Sequence, residues 1–305
     1  MRVKTKYFIF MLPLVLAFRP AFVTPVEDTP MPVTSQMETE LVPVVGDVPV
    51  AAGTVGGTVS GEAKGGAGLT ASKSKAWAQI SAGSRILTNN VWGAPAGEEV
   101  VSDVYAEPGG SFGWTWNRQS PKAKPGASRP EPIYPNVRIG GTPWAKSNCR
   151  YFPLKVGETK SLDLSVSYDY PKVPTGSFNL AYDIFFSDTN QPAAKPLIKA
   201  EVMIWIHGTA KQPPNTYKGD FSDGRNTYAL HSWVMQNGRL YYSFIMKGDP
   251  QYKSDHTVDA VKLIDNLKLD PSLYIHGVEL GSEVCGGAGK IEITKLSVNV
   301  NGQEA

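Results

Sequence analysis

The sequence predicts an all-β protein, a jelly-roll β-sandwich of two antiparallel sheets with one short α-helix. Short segments in which apolar and polar residues alternate follow one another from Trp77 to the C-terminus, as in strands with one buried face. Gly, Pro, Asn and Asp separate these segments. A single segment has helical periodicity, and nothing alternates between strand and helix as a parallel sheet requires.

Two segments precede the predicted folded domain, which spans residues 75–305. Residues 1–23 begin with basic residues and continue with the apolar run YFIFMLPLVLAF, a pattern typical of a secretory signal peptide. The run is shorter than the roughly 20 residues of a membrane-spanning helix, so an uncleaved anchor is the lesser alternative. Residues 24–74 are rich in Pro, Thr, Gly and Ala and have no aromatic residue, which predicts a flexible linker. We therefore expect a secreted, extracellular protein, or one tethered to the cell surface by its leader.

Three stretches carry the strand prediction within the domain. Leu162–Asp169 alternates strictly between apolar and polar residues, as expected for a strand with one face in the core. Asn237-Gly238 separates two strand-like segments, 231–235 and 239–246, and favours a hairpin because Asn-Gly readily adopts positive φ angles. Residues 291–300 indicate either a final strand pair or one strand with a bulge.

The predicted helix is Thr257–Leu267. Its apolar residues recur at helical spacing, namely Val258, Val261, Ile264 and Leu267. Asp255 or Thr257 can cap its first turn.

Composition argues against several classes of function. The net charge is +2 and no block of Lys and Arg is present, so we expect no nucleic-acid partner. The histidines lack the spacing of metal ligands. No metal and no cofactor are therefore expected. Cys149 and Cys285 are the only cysteines, and they could pair in an oxidising compartment.

The stretch Glu201-Val202-Met203-Ile204-Trp205-Ile206 has an unusual polar face. Alternation places Glu201, Met203 and Trp205 on one side of the strand and the three aliphatic residues in the core. A carboxylate, a thioether and an indole in a row are typical of the floor of a binding groove. The alternative is an ordinary glutamate at the start of a strand, with Trp205 filling core space.

Two further carboxyl groups stand out. Asp183 is the one acidic residue in an apolar strand-like segment, where an unpaired carboxylate is costly unless it has a function. The alternative is an aspartate on an edge strand or facing a loop. Glu283 lies among glycines, which would let a bulky substrate approach closely, or it is a solvated glutamate in a turn.

A series of motifs over about residues 76–300 resembles glycoside hydrolase family 12, the small endoglucanases and xyloglucanases. The motifs occur in the family's order, and the single helix lies between the last two of them. They are Asn89-Asn90-Val91-Trp92-Gly93, Phe112-Gly113-Trp114-Thr115-Trp116, Tyr134-Pro135-Asn136, Ala181-Tyr182-Asp183-Ile184-Phe185, Glu201-Val202-Met203-Ile204-Trp205, Tyr242-Ser243-Phe244 and Gly281-Ser282-Glu283.

The resemblance implies a concave substrate cleft and the retaining, endo-acting hydrolysis of β-1,4-glucosidic bonds in cellulose-type or mixed-linkage glucans. Glu201 would be the nucleophile and Glu283 the general acid/base, with Asp183 hydrogen-bonded near the nucleophile. We expect a monomer with a β-glucan polysaccharide as its partner, and no membrane partner beyond a possible N-terminal anchor. The substrate-binding residues would be Asn90, Trp92, Trp114, Trp116, Asn136, Met203 and Trp205.

The sequence departs from the family at Cys285, which replaces an aromatic residue two positions after the acid/base. We hypothesise that a Cys149–Cys285 disulfide ties a loop beside Glu283.

A retaining mechanism needs two carboxyl groups about 5–5.5 Å apart, one ionised and one protonated. Facing residues on adjacent antiparallel strands are about 4.5–5.5 Å apart at Cβ, so we expect one concave sheet to supply this geometry. The charge of Glu201 would raise the pKa of Glu283.

Other functions remain open from the sequence. A xyloglucan- or xylan-directed hydrolase is the first alternative, although the related jelly-roll xylanases have a tyrosine-rich nucleophile strand, unlike Met203-Ile204-Trp205. A non-catalytic carbohydrate-binding module or lectin needs aromatic residues but not the three carboxyl groups. A purely structural surface protein would explain the leader and linker alone.

Overall fold

The computed structural model describes residues 71–305 except 74, 99, 128, 214, 236 and 250. The predicted signal peptide and residues 24–70 of the predicted linker lie outside the described residues. The elements are β1 (Ala71–Lys73), β2 (Gln79–Ala82), β3 (Arg85–Thr88), β4 (Val101–Ala106), β5 (Phe112–Arg118), β6 (Asn136–Gly140), β7 (Leu154–Lys155), β8 (Leu162–Asp169), β9 (Ser177–Ser187), β10 (Ile198–Gly208), β11 (Tyr217–Ser222), β12 (Thr227–Val234), β13 (Leu240–Met246), β14 (Lys253–Asp259), α1 (Ala260–Asp265), β15 (Tyr274–Ile275), β16 (Gly277–Gly281), β17 (Val284–Val300) and β18 (Gln303–Glu304).

The strands form two facing sheets. The front sheet has the strand order β2-β3-β6-β16-β9-β10-β13-β12-β11, and β15 extends the line of β16 by pairing with β9 and β7. The back sheet has the order β1-β4-β5-β17-β8-β14, with β18 paired to the end of β17. The predicted β-sandwich is confirmed.

One pairing differs from the prediction of purely antiparallel sheets. Strand β13 lies parallel to β10, whereas the other pairings among the described strands are antiparallel. The chain leaves β10, crosses to the edge of the front sheet as β11, and returns through β12 to β13 beside β10. This path brings the β12–β13 turn next to the start of β10.

The core lies between the sheets and follows from the alternation in the sequence. In β8, Leu162, Leu164, Val166 and Tyr168 are buried while the residues between them are partly exposed. In β10, Val202, Ile204 and Ile206 join the same core. Burying a branched aliphatic side chain of this size contributes roughly 1.5–3 kcal/mol, so the register of both strands is strongly specified.

Strand β17 joins the two sheets. Its first residues pair with β9 of the front sheet, and from Gly287 onward it pairs with β5 and then with β8 of the back sheet. A bulge lies between Ile293 and Lys295, so of the two sequence alternatives the single bulged strand is the one observed. The β12–β13 hairpin is also observed, with Gly238 at a positive φ of 79°.

The helix is shorter than predicted and begins later. Thr257 and Val258 belong to β14 and pair with β8, and Asp259 caps the helix by accepting from the Lys262 amide. The sequence pattern misled because a buried residue at the end of a strand continues the helical spacing. The buried residues of α1 itself are Ala260, Leu263 and Ile264.

The predicted linker ends too late at residue 74, because Ala71–Lys73 forms β1 and pairs with β4. Within the described ranges, none of the helices has the length and apolar character needed to cross a membrane.

The hypothesised disulfide is not formed, since Cys149 and Cys285 are both free thiols. Cys285 follows Val284, which bridges to Ile133 just before β6. Cys149 lies beyond the other end of β6, where its segment packs near Gly140. The five residues of β6 span roughly 13 Å, too far for Cα atoms that a disulfide holds within about 7 Å.

Candidate active site

The face of the front sheet that points away from the core carries Glu201. Met203 and Trp205 share this face, and they pack with Tyr134, Ala181 and Tyr241 in a cluster separate from the core between the sheets. The alternative in which Trp205 fills the core is therefore wrong. Met203 and Trp205 are only 1% and 5% exposed although they point away from the core, so this face is recessed. We call it the groove face.

Asp183 lies on the groove face of β9, directly opposite Met203 of β10. Strand β9 has β10 on one side and β16 on the other, so Asp183 is not on an edge strand. The carboxyl group is buried among three other acidic residues, whose charges act on it.

A fourth carboxyl group, Glu279, completes the cluster and was missed in the sequence. It lies opposite Asp183 on β16, and its Oε2 accepts a hydrogen bond of 3.2 Å from Asn136 Nδ2. The sequence pattern could have indicated Glu279, because this residue lies between the core residues Val278 and Leu280 just as Asp183 lies among apolar neighbours.

Glu283 follows β16 at the point where the chain turns into β17. Asn179 at the start of β9 holds it by three hydrogen bonds. Asn179 Nδ2 donates to Glu283 Oε2 (2.6 Å), the Glu283 amide donates to Asn179 Oδ1 (2.7 Å), and the Asn179 amide donates to the Glu283 carbonyl (3.1 Å). The reading of Glu283 as a freely solvated turn residue is therefore wrong.

Glu201 and Glu283 are not on adjacent strands as expected. Strand β9, which carries Asp183, lies between β10, which carries Glu201, and β16, which Glu283 follows. The two side chains nevertheless share the groove face closely enough for the charge of Glu201 to act on Glu283.

Trp114 and Trp116 do not line the groove. Both are buried in the core from β5 of the back sheet. Trp114 instead supports the segment that precedes Glu283, since its Nε1 donates a hydrogen bond of 3.0 Å to Ser282 Oγ. Alternation alone could not reveal this, because an aromatic residue in the core and one in a groove give the same pattern.

Asn90, Trp92 and Asn136 have different surroundings. Asn90 Oδ1 accepts from the Trp92 amide, and the Asn90 carbonyl accepts from the amide of Tyr134, whose ring lies on the groove face. Trp92 is 44% exposed, with Lys124 Nζ 4.9 Å from its ring centroid. Asn136 is buried beside Glu279, so its amide supports a carboxyl group rather than an open surface.

Burial, and then the charge of Glu201, raise the pKa of Glu283 to about 7, while the Asn179 hydrogen bond opposes this shift. Burial also raises the pKa of Glu279 to about 7, with Arg138 opposing this shift. Asp183 is the most affected group. Its burial, and then the charges of the neighbouring glutamates, raise its pKa well above the ordinary range. Burial and the neighbouring charges therefore favour the protonated form of Asp183.

Glu201 differs from the other three acids because a cation contacts it directly. Arg239 Nη2 lies 3.0 Å from Glu201 Oε2. Burial raises the pKa of Glu201, and the charge of Arg239 opposes that rise. The groove face thus holds one carboxyl group paired with an arginine, Glu201, and others without such a contact, among them Glu283 with a pKa raised to about 7. This combination can perform nucleophilic and general acid catalysis on a bound acetal.

Two relatives of known name align with most of the folded region. Endoglucanase S of Pectobacterium parmentieri is 26% identical over 227 residues, which cover 70% of this chain and 81% of that protein. Xyloglucan-specific endo-beta-1,4-glucanase A of Aspergillus aculeatus is 23% identical over 238 residues, covering 73% of this chain and 89% of that protein. No protein-family model matches the chain.

Solved structures share the fold. The native family 12 xyloglucanase of Bacillus licheniformis superimposes with a TM-score of 0.66 and 24% identity, over 76% of this chain and all of that one. Endoglucanase cel12A of Rhodothermus marinus gives 0.62 and 22%, over 78% of this chain and all of that one. The resemblance to glycoside hydrolase family 12 seen in the sequence motifs, and the jelly-roll fold that it implies, are confirmed.

Proposed function

Because the chain shares the fold and the motif series of glycoside hydrolase family 12, we propose that it hydrolyses internal β-1,4-glucosidic bonds with retention of configuration. Its substrates are cellulose-type or mixed-linkage β-glucans. The names of its relatives, an endoglucanase and a xyloglucan-specific endo-beta-1,4-glucanase, support this class of activity.

The reaction follows from the protonation states of the two glutamates. The Glu201 carboxylate attacks the anomeric carbon as the glucosidic C–O bond breaks, and Glu283 gives its proton to the departing oxygen. Water then attacks the glycosyl–Glu201 ester, and Glu283 takes a proton from that water. The second step restores the free Glu201 carboxylate and the protonated Glu283.

One observation carries the proposal. Four carboxyl groups gather on the recessed groove face, yet their surroundings differ, because Arg239 contacts Glu201 whereas burial and negative charge raise the pKa of Glu283 to about 7. A surface that only binds sugar needs aromatic and hydrogen-bonding residues. Burying several carboxyl groups there is energetically unfavourable, and sugar binding alone does not require it.

Release of reducing ends from barley β-glucan and carboxymethylcellulose tests the activity. We expect a rapid fall in viscosity, as for internal cleavage, and β-configured products in ¹H NMR spectra recorded before mutarotation. Glu201→Gln is the matched control, because it removes the nucleophile and keeps the side-chain shape. Tight binding of the polymer without any cleavage would instead indicate a carbohydrate-binding protein.

A xyloglucan-directed activity is the second candidate, supported by the similarity to the Aspergillus aculeatus relative and by the fold match with the Bacillus licheniformis xyloglucanase. Parallel assays on tamarind xyloglucan, barley β-glucan and xylan distinguish the two. A kcat/KM at least tenfold higher on xyloglucan would assign that substrate, and cleavage of xylan alone would contradict both.

We further propose that the protein is secreted, on the basis of the basic and apolar pattern of residues 1–23. The mass of the N-terminal peptide of protein recovered from the medium tests this. Cleavage between residues 18 and 30 would support export with removal of the leader. A chain that keeps Met1 and stays with the membrane would support the anchored alternative.

A further inference from the structure

Arg239 lies in the β12–β13 turn, and its side chain reaches back over the groove face to Glu201. Its guanidinium contacts Glu201 Oε2 at 3.0 Å through Nη2 and the Met235 sulfur at 2.9–3.2 Å through Nη2 and Nε. The exposed fractions of the Arg239 and Glu201 side chains are only 17% and 11%. The contact is therefore largely shielded from solvent and from screening by salt.

The turn does not depend on this contact for its own structure. The Met235 amide donates to the Arg239 carbonyl at 2.8 Å, and the Arg239 amide donates to Asn237 Oδ1 at 3.1 Å. With the backbone closed in this way, the side chain is free to point to solvent, as arginines in hairpin turns commonly do. Instead it lies over Met235, which is neutral and leaves the positive charge for Glu201.

Negative groups otherwise dominate the surroundings of Glu201. The titratable and charged side chains that face it come from β9, β16, the segment after β16, the segment before β6, β13 and the β12–β13 turn. They are Asp183, Glu279, Glu283, Tyr134, Tyr241 and Arg239. In this set Arg239 is the group that favours an ionised Glu201, since each carboxylate added nearby would favour its protonation.

We propose that Arg239 is a positioning residue for the nucleophile, which holds the Glu201 carboxylate through Oε2 and keeps it ionised among the neighbouring acids. Oε1 is then the oxygen presented to the anomeric carbon. This inference rests on the proposed hydrolase function, in which Glu201 must be an anion before attack. It assigns a task to a turn residue that none of the sequence motifs includes.

The test compares the pH dependence of kcat/KM on barley β-glucan for the wild type, Arg239→Gln and Arg239→Lys. Loss of the guanidinium raises the pKa of Glu201, so the acidic limb of the Arg239→Gln profile moves to higher pH by roughly one unit. At pH values below the acidic limbs of both proteins, this shift corresponds to a kcat/KM about tenfold lower in Arg239→Gln than in the wild type. Arg239→Lys keeps the charge without the fork, so its limb lies between the other two.

Arg225→Gln is the matched control, because Arg225 forms a solvent-exposed ion pair with Asp163 of β8. Its profile should coincide with that of the wild type. An unmoved acidic limb in Arg239→Gln, or an equal movement in Arg225→Gln, overturns the proposal. If Arg239→Gln does not fold, as judged by thermal unfolding, the same comparison is read from Arg239→Lys.

A measurement independent of activity separates failure of this inference from failure of the proposed function. In ¹³C NMR titrations of glutamate-labelled protein, Glu201 is assigned by the signal lost in Glu201→Gln. We expect that signal to titrate at higher pH in Arg239→Gln. If the wild type cleaves no β-glucan, the proposed function is wrong, and the titration still decides the relation between Arg239 and Glu201. An unchanged titration overturns the inference even in an active enzyme.

Discussion

The proton on Glu283 sets the upper pH limit of the proposed reaction. Burial raises the pKa of this group to about 7, and only the protonated form can donate to the leaving oxygen. We therefore expect kcat/KM to fall as the pH rises through about 7. Initial rates on a soluble β-glucan between pH 4 and 9 check this, and a flat profile up to pH 9 would mean that Glu283 is not the acid.

Asn179 provides the control for that prediction. Its hydrogen bond to Glu283 lowers the pKa of the glutamate, so Asn179→Ala should move the alkaline limb to higher pH. A shift to lower pH would contradict this relation. Thermal unfolding of the variant shows whether loss of the other two hydrogen bonds disturbs the segment.

Asp183 is expected to act in its protonated form, because burial and the neighbouring carboxylates raise its pKa well above the ordinary range. Asn resembles a protonated Asp in shape and can still donate a hydrogen bond. Asp183→Asn should therefore lower kcat by less than about tenfold. Asp183→Ala should lower it by roughly a hundredfold or more, with little change in KM. Equal losses in the two variants would show that the negative charge of Asp183 is what matters.

At the scale of single residues, the sequence revealed the polar residues that interrupt an apolar pattern. Glu201 and Asp183 stood out for that reason, and their placement on one face follows from strand alternation. Arg239 and Asn179 could not be found in this way, because a polar residue in a turn or at a strand start breaks no pattern. Their contacts depend on how distant strands pair, which alternation does not specify.

At the scale of elements, a buried ion pair connects the back sheet to the segment that carries Glu283. Arg118 of β5 pairs with Glu98 at 2.6 Å, and its Nη1 donates to the carbonyls of Glu131 and Val284. Both side chains of the pair are 3% exposed or less. The arginine thus ties two loops and the start of β17 to one strand.

Arg118→Met should destabilise the fold by about 3–5 kcal/mol, because it removes the cation of a buried ion pair and its hydrogen bonds to two backbone carbonyls. Urea unfolding followed by tryptophan fluorescence measures this. Arg225→Met, which removes an exposed pair, should cost no more than about 1 kcal/mol. Equal changes in the free energy of unfolding for the two substitutions would show that burial of the Arg118–Glu98 pair does not increase its contribution to stability.

Element types were more predictable than their ends. The alternation of β8 and the hairpin at Asn237-Gly238 identified strands that the structure contains. The start of the helix was wrong because Val258 pairs with β8 while also fitting the helical spacing. Trp114 and Trp116 were assigned to the groove because a resemblance between motifs does not say which face of a strand a side chain occupies.

At the scale of the whole molecule, the path of β17 between the two sheets determines where Glu283 lies. The chain after Glu283 pairs briefly with β9 of the front sheet and from Gly287 onward with the back sheet, so Glu283 lies where the two sheets connect. Asn179 of β9 holds the backbone of Glu283, and Trp114 holds the side chain of the preceding residue, Ser282. The sequence could predict a sandwich but not this crossing, which depends on pairings between residues far apart in the chain.

A chain that begins at residue 71 should retain the unfolding midpoint and the kcat/KM of the full protein on a soluble glucan, within about twofold. Every residue assigned here to the groove face or its support lies at or beyond position 90, and β1 is kept because it pairs with β4. Differential scanning calorimetry and initial rates check this. A large loss of activity would assign residues 1–70 a part in the site.

Identification of the residue that bonds to the sugar tests the account most directly. A 2-deoxy-2-fluoro cellobioside with a good leaving group should inactivate the enzyme by forming a stable ester. Peptide mass spectrometry should then locate the added sugar on Glu201. Glu283→Gln should still be labelled by a substrate analogue that needs no acid assistance. A label on Asp183 or Glu279, or inactivation without a covalent adduct, would contradict the assignment of Glu201 as the nucleophile.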